Sequence, residues 1–113
     1  MLISILKSKI HMATITGTLL NYEGSIAVDP TLLKAAGLIA GERVSVLNFD
    51  NGNRFDTYII IGQKGEISLR GPAAKMGKKG QKIIILSYGL EEAGKAGKIK
   101  PKIVHVNGRN KIK

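Results

Sequence analysis

Asn21-Tyr22-Glu23-Gly24-Ser25-Ile26-Ala27-Val28-Asp29-Pro30 holds a turn, a strand and a helix start in one short stretch. Asn21 to Gly24 carries turn residues, and Ser25 to Val28 is a β-branched and apolar run that reads as a short strand. Asp29 then serves as a helix N-cap, with Pro30 in the first helical position, where its missing N–H costs nothing. Leu32, Leu33 and Ala36 supply a buried helix face, and Gly37 takes the left-handed cap that ends it.

Outward from that stretch the chain reads as strands broken by turns. Ile10 to Thr16 is predicted as a strand upstream. Downstream, Arg43 to Asn48 and Arg54 to Ile61 flank Asn51-Gly52, a strong hairpin signal. Glu66 to Leu69, Lys82 to Tyr88 and Ile103 to Val106 continue the series, while the Gly-, Lys- and Ala-rich segment Glu91 to Lys100 reads as a mobile connection. Strands at roughly ten-residue spacing predict a mainly β domain, a small barrel rather than an α/β sheet, spanning residues 1–113.

With 113 residues and 43% hydrophobic content, the chain suits a single globular domain and would gain stability as an oligomer. The absence of Cys excludes disulfides, thiolate metal sites and a cysteine nucleophile, and it suits the cytosol. Neither a signal peptide core nor a run of about 18 apolar residues is present, so no membrane span is expected. The net charge of +10 is uneven: residues 57–113 carry 13 basic and 3 acidic side chains, while residues 1–56 balance five against five. A basic half could bind nucleic acid or draw small anions toward a cleft. The five aromatics do not alternate with the lysines as a base-stacking platform requires, so nucleic acid is disfavoured.

Standard catalytic motifs are missing: there is no Walker loop, no HExxH and no GxSxG, and His11 and His105 lie far apart in the chain. Taken alone, Gly24-Ser25 is an ordinary turn glycine before a strand-opening serine. Its neighbours change that reading. Lys9-Ile10-His11, then Asn21 to Asp29, then Asn51-Gly52-Asn53-Arg54-Phe55-Asp56-Thr57-Tyr58, together with the Ala35-Ala36-Gly37 helix end, closely resemble the pyruvoyl-dependent aspartate 1-decarboxylase family in order and spacing. The likeness continues more weakly past Ile61, where Gly71-Pro72-Ala73-Ala74 is similar to the family's Gly-Ala-Ala-Ala turn.

The resemblance implies that Ser25 attacks the Gly24 carbonyl and shifts the acyl group from nitrogen to oxygen. The ester eliminates and hydrolyses to a pyruvoyl group with release of ammonia, leaving chains 1–24 and 25–113. An intramolecular attack gains from proximity, and Gly24, lacking Cβ, leaves the carbonyl open. The pyruvoyl group, a covalent cofactor derived from Ser25, would form a Schiff base with an acidic amino acid and act as electron sink, with no metal. By the same likeness Arg54 binds the substrate carboxylate, Lys9 adds a second positive charge, Tyr58 donates the proton and Thr57 assists self-cleavage. Thr57, Gly71, Pro72 and Ala73 line the substrate site, and His11, Tyr22 and Arg70 are possible members. The implied fold is a six-stranded double-psi β-barrel with one or two short helices. It would assemble as a cytoplasmic homotetramer whose sites lie between subunits and convert L-aspartate to β-alanine for pantothenate and coenzyme A synthesis.

Three departures from the family pattern stand out. Arg70 replaces the usual Asn, Pro72 replaces an Ala and offers no N–H, and the chain is about two residues shorter between Ile61 and Leu69. They bear on processing efficiency and substrate choice. The alternatives they leave open are a decarboxylase for another acidic amino acid, and an uncleaved, inactive barrel serving as a binding module.

Overall fold

The computed structural model describes all residues, Met1–Lys113. Eight strands and two helices follow in the order β1 (Leu2–Thr14), β2 (Gly17–Leu19), β3 (Ser25–Val28), α1 (Pro30–Ala36), β4 (Arg43–Asn48), β5 (Arg54–Ile61), β6 (Ile67–Arg70), β7 (Lys82–Glu92), α2 (Ala93–Ala96) and β8 (Lys102–His105). A single 3-10 turn, Gly71–Lys75, follows β6. The hydrogen-bonded order is β2-β6-β3-β5-β4-β7-β1-β8.

The fold is mainly β, as the strands at roughly ten-residue spacing predict, but eight strands are present where the resemblance implies six. The sheet order is open, with β2 and β8 at its ends. Three parallel pairs, β1 with β8, β2 with β6 and β3 with β5, interleave with antiparallel ones. Such pairs need crossover connections, so this is no simple meander.

Local signals around β3 are realised closely. Asp29 accepts the Thr31 N–H at 2.7 Å, Pro30 opens α1, and Gly37 ends it at φ 70°. The second Asp29 oxygen accepts the Gly65 N–H at 2.7 Å, tying the helix start to the turn before β6. Leu32, Leu33 and Ala36 join a core of 19 buried residues that includes Ile10, Ile15, Ile26, Ile59, Leu69 and Ile85. Each fully buried Ile or Leu contributes about 1.5–3 kcal/mol by removal from water. That core, more than strand propensity, holds the short strands together.

Two expectations are corrected. The first strand begins at Leu2 instead of Ile10, because Leu2 to Leu6 pairs with Tyr88 to Glu92 of β7. It ends at Thr14 after a register shift at which Met12 adopts φ 65°. The Glu91–Lys100 segment is not a loose connection. β7 runs to Glu92, the Ala93 N–H bonds the Met1 carbonyl at 3.0 Å, and Ala96 is buried in α2.

At the β1–β4–β7 layer, the Glu42 carboxylate accepts hydrogen bonds from Lys7 Nζ (2.6 Å), Ser87 Oγ (2.5 Å) and the Ile39 N–H (3.2 Å). Burial pushes this carboxyl up. The bonds from Lys7, Ser87 and Ile39, with the Lys7 charge, outweigh it and hold the group below its ordinary value. A depressed folded-state value means stability that is present above the unfolded value and lost as pH falls through the folded one. Glu42→Gln is therefore expected to cost about 1–2 kcal/mol at pH 7, from lost charge-assisted bonds partly screened at Lys7. The difference should shrink below about pH 4. Urea unfolding at both pH values, in a Ser25→Ala background, checks this. An equal gap at both would remove Glu42 as its source.

Candidate active site

Ser25 opens β3 and is fully buried. Its hydroxyl donates a long, 3.4 Å bond to the Glu23 carbonyl, which leaves the oxygen lone pairs free. β3 lies between β5, parallel, and β6, antiparallel. On the β6 side, Arg70 is the cross-strand partner of Ser25. On the β5 side Ile26 pairs with Ile59, so the register carried back one residue sets Tyr58 level with Ser25 and Thr57 level with Gly24.

Behind the Gly24–Ser25 bond sits the 3-10 turn. Gly71 has φ +67°, and a Cβ built there would lie 2.5 Å from the Tyr22 carbonyl oxygen and 2.8 Å from the Gly24 nitrogen. Only glycine lets two backbone segments approach so closely. Pro72 closes over the same spot, its Cδ 3.5 Å from where a Gly24 Cβ would lie, and Ala73 is buried beneath.

Arg70 turns inward. Its guanidinium donates to Glu66 Oε2 at 3.0 Å and stacks 5.0 Å above the Tyr22 ring, while its Nε–H is buried without a partner. The hydrogen bond to Glu66 is the largest cause holding this guanidinium's pKa above its usual value. Glu66 is a residue that sequence reasoning missed. Its only sequence signal is an opposite charge four residues before Arg70, a spacing that means little in a strand.

Along β5, exposure alternates, so Arg54, Asp56 and Tyr58 share the outer face while Thr57 lies half-buried on the other. Asp56 accepts from Ser45 Oγ and Arg43, both at 2.6 Å, and these bonds hold its carboxyl below the usual range. These groups border an open cleft of about 330 Å³ lined also by Ser4 and Tyr88. A second, of about 310 Å³, lies between Asp29, Lys64 and Arg109. Neither includes Ser25.

Tyr22, Gly24, Ser25, Arg70, Gly71 and Pro72 are thus brought together, with Thr57, Tyr58 and Arg54 on the adjoining strand. Lys9 and His11 are not. They occupy β1, separated from β3 in sheet order by β5, β4 and β7. There His11 pairs with His105 of β8, the rings meeting edge to face at 5.5 Å, although the two are remote in sequence. Burial first, then the charges of Lys9, His105 and Lys113, push the His11 imidazole below its ordinary value. No group of three or more His, Cys, Asp or Glu is placed to hold a metal ion.

The chemistry this arrangement offers is that of a small β protein with one Gly–Ser peptide bond, its Ser25 side buried and its Gly24 side half-buried, flanked by basic and phenolic side chains and lacking a triad. The chain matches the aspartate decarboxylase family over residues 1–113. It is 51% identical over 110 residues to the aspartate 1-decarboxylase of Bdellovibrio bacteriovorus, covering 97% of this chain and 89% of that one. Against the aspartate 1-decarboxylase of Campylobacter hominis it is again 51% identical over 110 residues, covering 97% and 96%. With that of Pelotomaculum thermopropionicum it shares 47% over 114 residues, covering 99% and 86%. The chain belongs to the aspartate decarboxylase family.

Proposed function

We propose that this chain cuts itself between Gly24 and Ser25 and then decarboxylates L-aspartate to β-alanine and CO2, supplying pantothenate and coenzyme A synthesis in the cytoplasm. The observation that carries the reading is the buried Ser25 directly behind Gly24, in a chain that matches the family end to end. The residues present fit a pyruvoyl group at position 25. Gly24 has no Cβ to shield its carbonyl, Gly71 lets the 3-10 turn pack directly against the Gly24 nitrogen, and the Ser25 hydroxyl has no strong competing bond. When formed, that group supplies an electron sink for the departing carboxylate.

The chain's own residues then bind and orient. Arg54, at the exposed start of β5, holds a substrate carboxylate through its planar fork. Tyr58 shares that face and delivers a proton beside Ser25, whereas Thr57, on the opposite face, serves the Gly24 carbonyl during cleavage. Gly71, Pro72 and Ala73 form the wall. Lys9 and His11 belong to a different part of the sheet, which favours a neighbouring subunit as their source and hence the homotetramer. Exposed Leu19, Leu20, Tyr22 and Ile61 around the site support such a contact. The interleaved parallel pairs support closure of the sheet as a double-psi barrel. Arg70 does not favour a longer acidic substrate, because Glu66 already engages its guanidinium.

The test is direct. Purified protein should resolve by mass into fragments 1–24 and 25–113. Borohydride added with aspartate should attach a substrate-derived mass to the larger fragment alone, and β-alanine should accumulate in untreated samples. Protein that stays whole after prolonged warming, with no β-alanine, would leave the binding-module alternative.

A further inference from the structure

Between Leu20 and Gly24 the chain makes no regular structure, and its hydrogen bonds outside the strand ladders are local: Tyr22 N–H to Leu20 O at 2.9 Å and Ser25 Oγ to Glu23 O at 3.4 Å. The bend is held instead from the side, by Gly71 packed against its backbone and by Arg70 stacked on Tyr22. Arg70 is itself fixed. Glu66 Oε2 takes its Nη at 3.0 Å, and Glu66 Oε1 takes the Gln63 N–H at 2.7 Å, so the carboxylate is braced at both oxygens. The guanidinium side chain is only 23% exposed, which shields the pair from solvent screening.

We propose that Arg70 is a positioning residue for self-cleavage: Glu66 braces its guanidinium, the guanidinium pins Tyr22, and Tyr22 keeps the Gly24 carbonyl in register with the Ser25 hydroxyl. This rests on the reading that Ser25 cuts the chain at Gly24. The step needs no co-reactant. The Ser25 Oγ–Gly24 C bond forms, the Gly24 C–Ser25 N bond breaks, and the hydroxyl proton ends on the Ser25 nitrogen. Its rate depends on how well the two groups are held, and a misplacement of about 1 Å can cost on the order of 100-fold. A direct electrostatic role for Arg70 is the rival account, and it makes the opposite forecast for Glu66. Removing a carboxylate that neutralises the guanidinium would strengthen such a role, whereas it weakens a brace.

Freshly translated full-length precursor, followed by intact mass at one temperature, decides between them. Arg70→Ala should slow cleavage about 10- to 100-fold. Glu66→Gln should slow it less, and the double variant should be no slower than Arg70→Ala alone, since both act through one contact. Arg70→Lys should keep part of the rate, and methylguanidinium in the buffer should restore part of it to Arg70→Ala, which a general loss of fold would not permit. Should Arg70→Ala prove insoluble, Arg70→Lys and Glu66→Gln carry the same comparison. Wild-type rates in the Arg70 and Glu66 variants, additive losses, or faster cleavage by Glu66→Gln would each overturn the positioning role while wild type still cleaves. A wild-type chain that never cleaves would instead remove the reading on which it rests.

Discussion

Ser25→Ala is expected to persist as one chain of 113 residues and to show no decarboxylation above background. The substitution deletes the hydroxyl that follows the Gly24 carbonyl in the chain, and with it the precursor of the covalent group. Loss of a group that acts covalently costs on the order of 10⁴-fold or more in turnover. The fold should survive, because Ser25 sits at a fully buried strand position where a methyl group fits. Only the long 3.4 Å bond to Glu23 is given up, and a weak hydrogen bond is worth about 1 kcal/mol or less. Intact mass, a thermal melt and β-alanine production together check the result. Fragmentation at residue 24, or retained activity in a whole chain, would move the chemistry away from Ser25.

Gly71→Ala carries the second large effect, and here the cause is steric. The position has φ +67°, where a residue with Cβ is strained by about 1–3 kcal/mol. The new methyl would also lie 2.5 Å, 2.8 Å and 2.9 Å from Tyr22 O, Gly24 N and Glu23 C, all backbone atoms that cannot rotate away. Forcing them apart adds about 1–3 kcal/mol of overpacking. The displaced segment is the one that contains the bond to be cut, so cleavage should slow on the order of 100-fold. Gly41→Ala is the control, since Gly41 has φ +86° but open space where its Cβ would go. Urea unfolding in the Ser25→Ala background should show Gly71→Ala losing clearly more stability than Gly41→Ala. Equal losses would mean that backbone strain alone matters and that the close approach does not.

The parts of this protein that were legible in its sequence are those closed by local chemistry. Asp29-Pro30 and Gly37 define α1 at both ends within the helix itself, and Asn51-Gly52 fixes the β4–β5 turn. Ser25 to Val28 was readable because a turn precedes it and a cap follows. What stayed hidden depends on partners far along the chain. Leu2 and Ile3 become strand only by pairing with Glu92 and Glu91, and β2 exists because Gly17 to Leu19 aligns with Ser68 to Arg70. The candidate site divides the same way. Gly24 and Ser25, at the start of β3, lie beside Thr57 and Tyr58 of the neighbouring β5, whereas Lys9 and His11, from another block of the same resemblance, stand on β1. The inward turn of Arg70 was not readable either, since it follows from Tyr22, remote in the chain, and from Glu66, whose four-residue spacing means little in a strand.

The place of β1 between β7 and β8 has a further consequence under the proposed cut at Gly24. The fragment 1–24 would contribute this entire interior strand, hydrogen-bonded along both edges, so it stays in place without a covalent tether. Unfolding the processed protein would then free a short peptide from its frame. Refolding becomes a bimolecular search that slows with dilution and competes with aggregation of the larger fragment. A processed molecule built this way would be durable while assembled and difficult to reassemble, which would make the uncut precursor the form in which the fold is acquired.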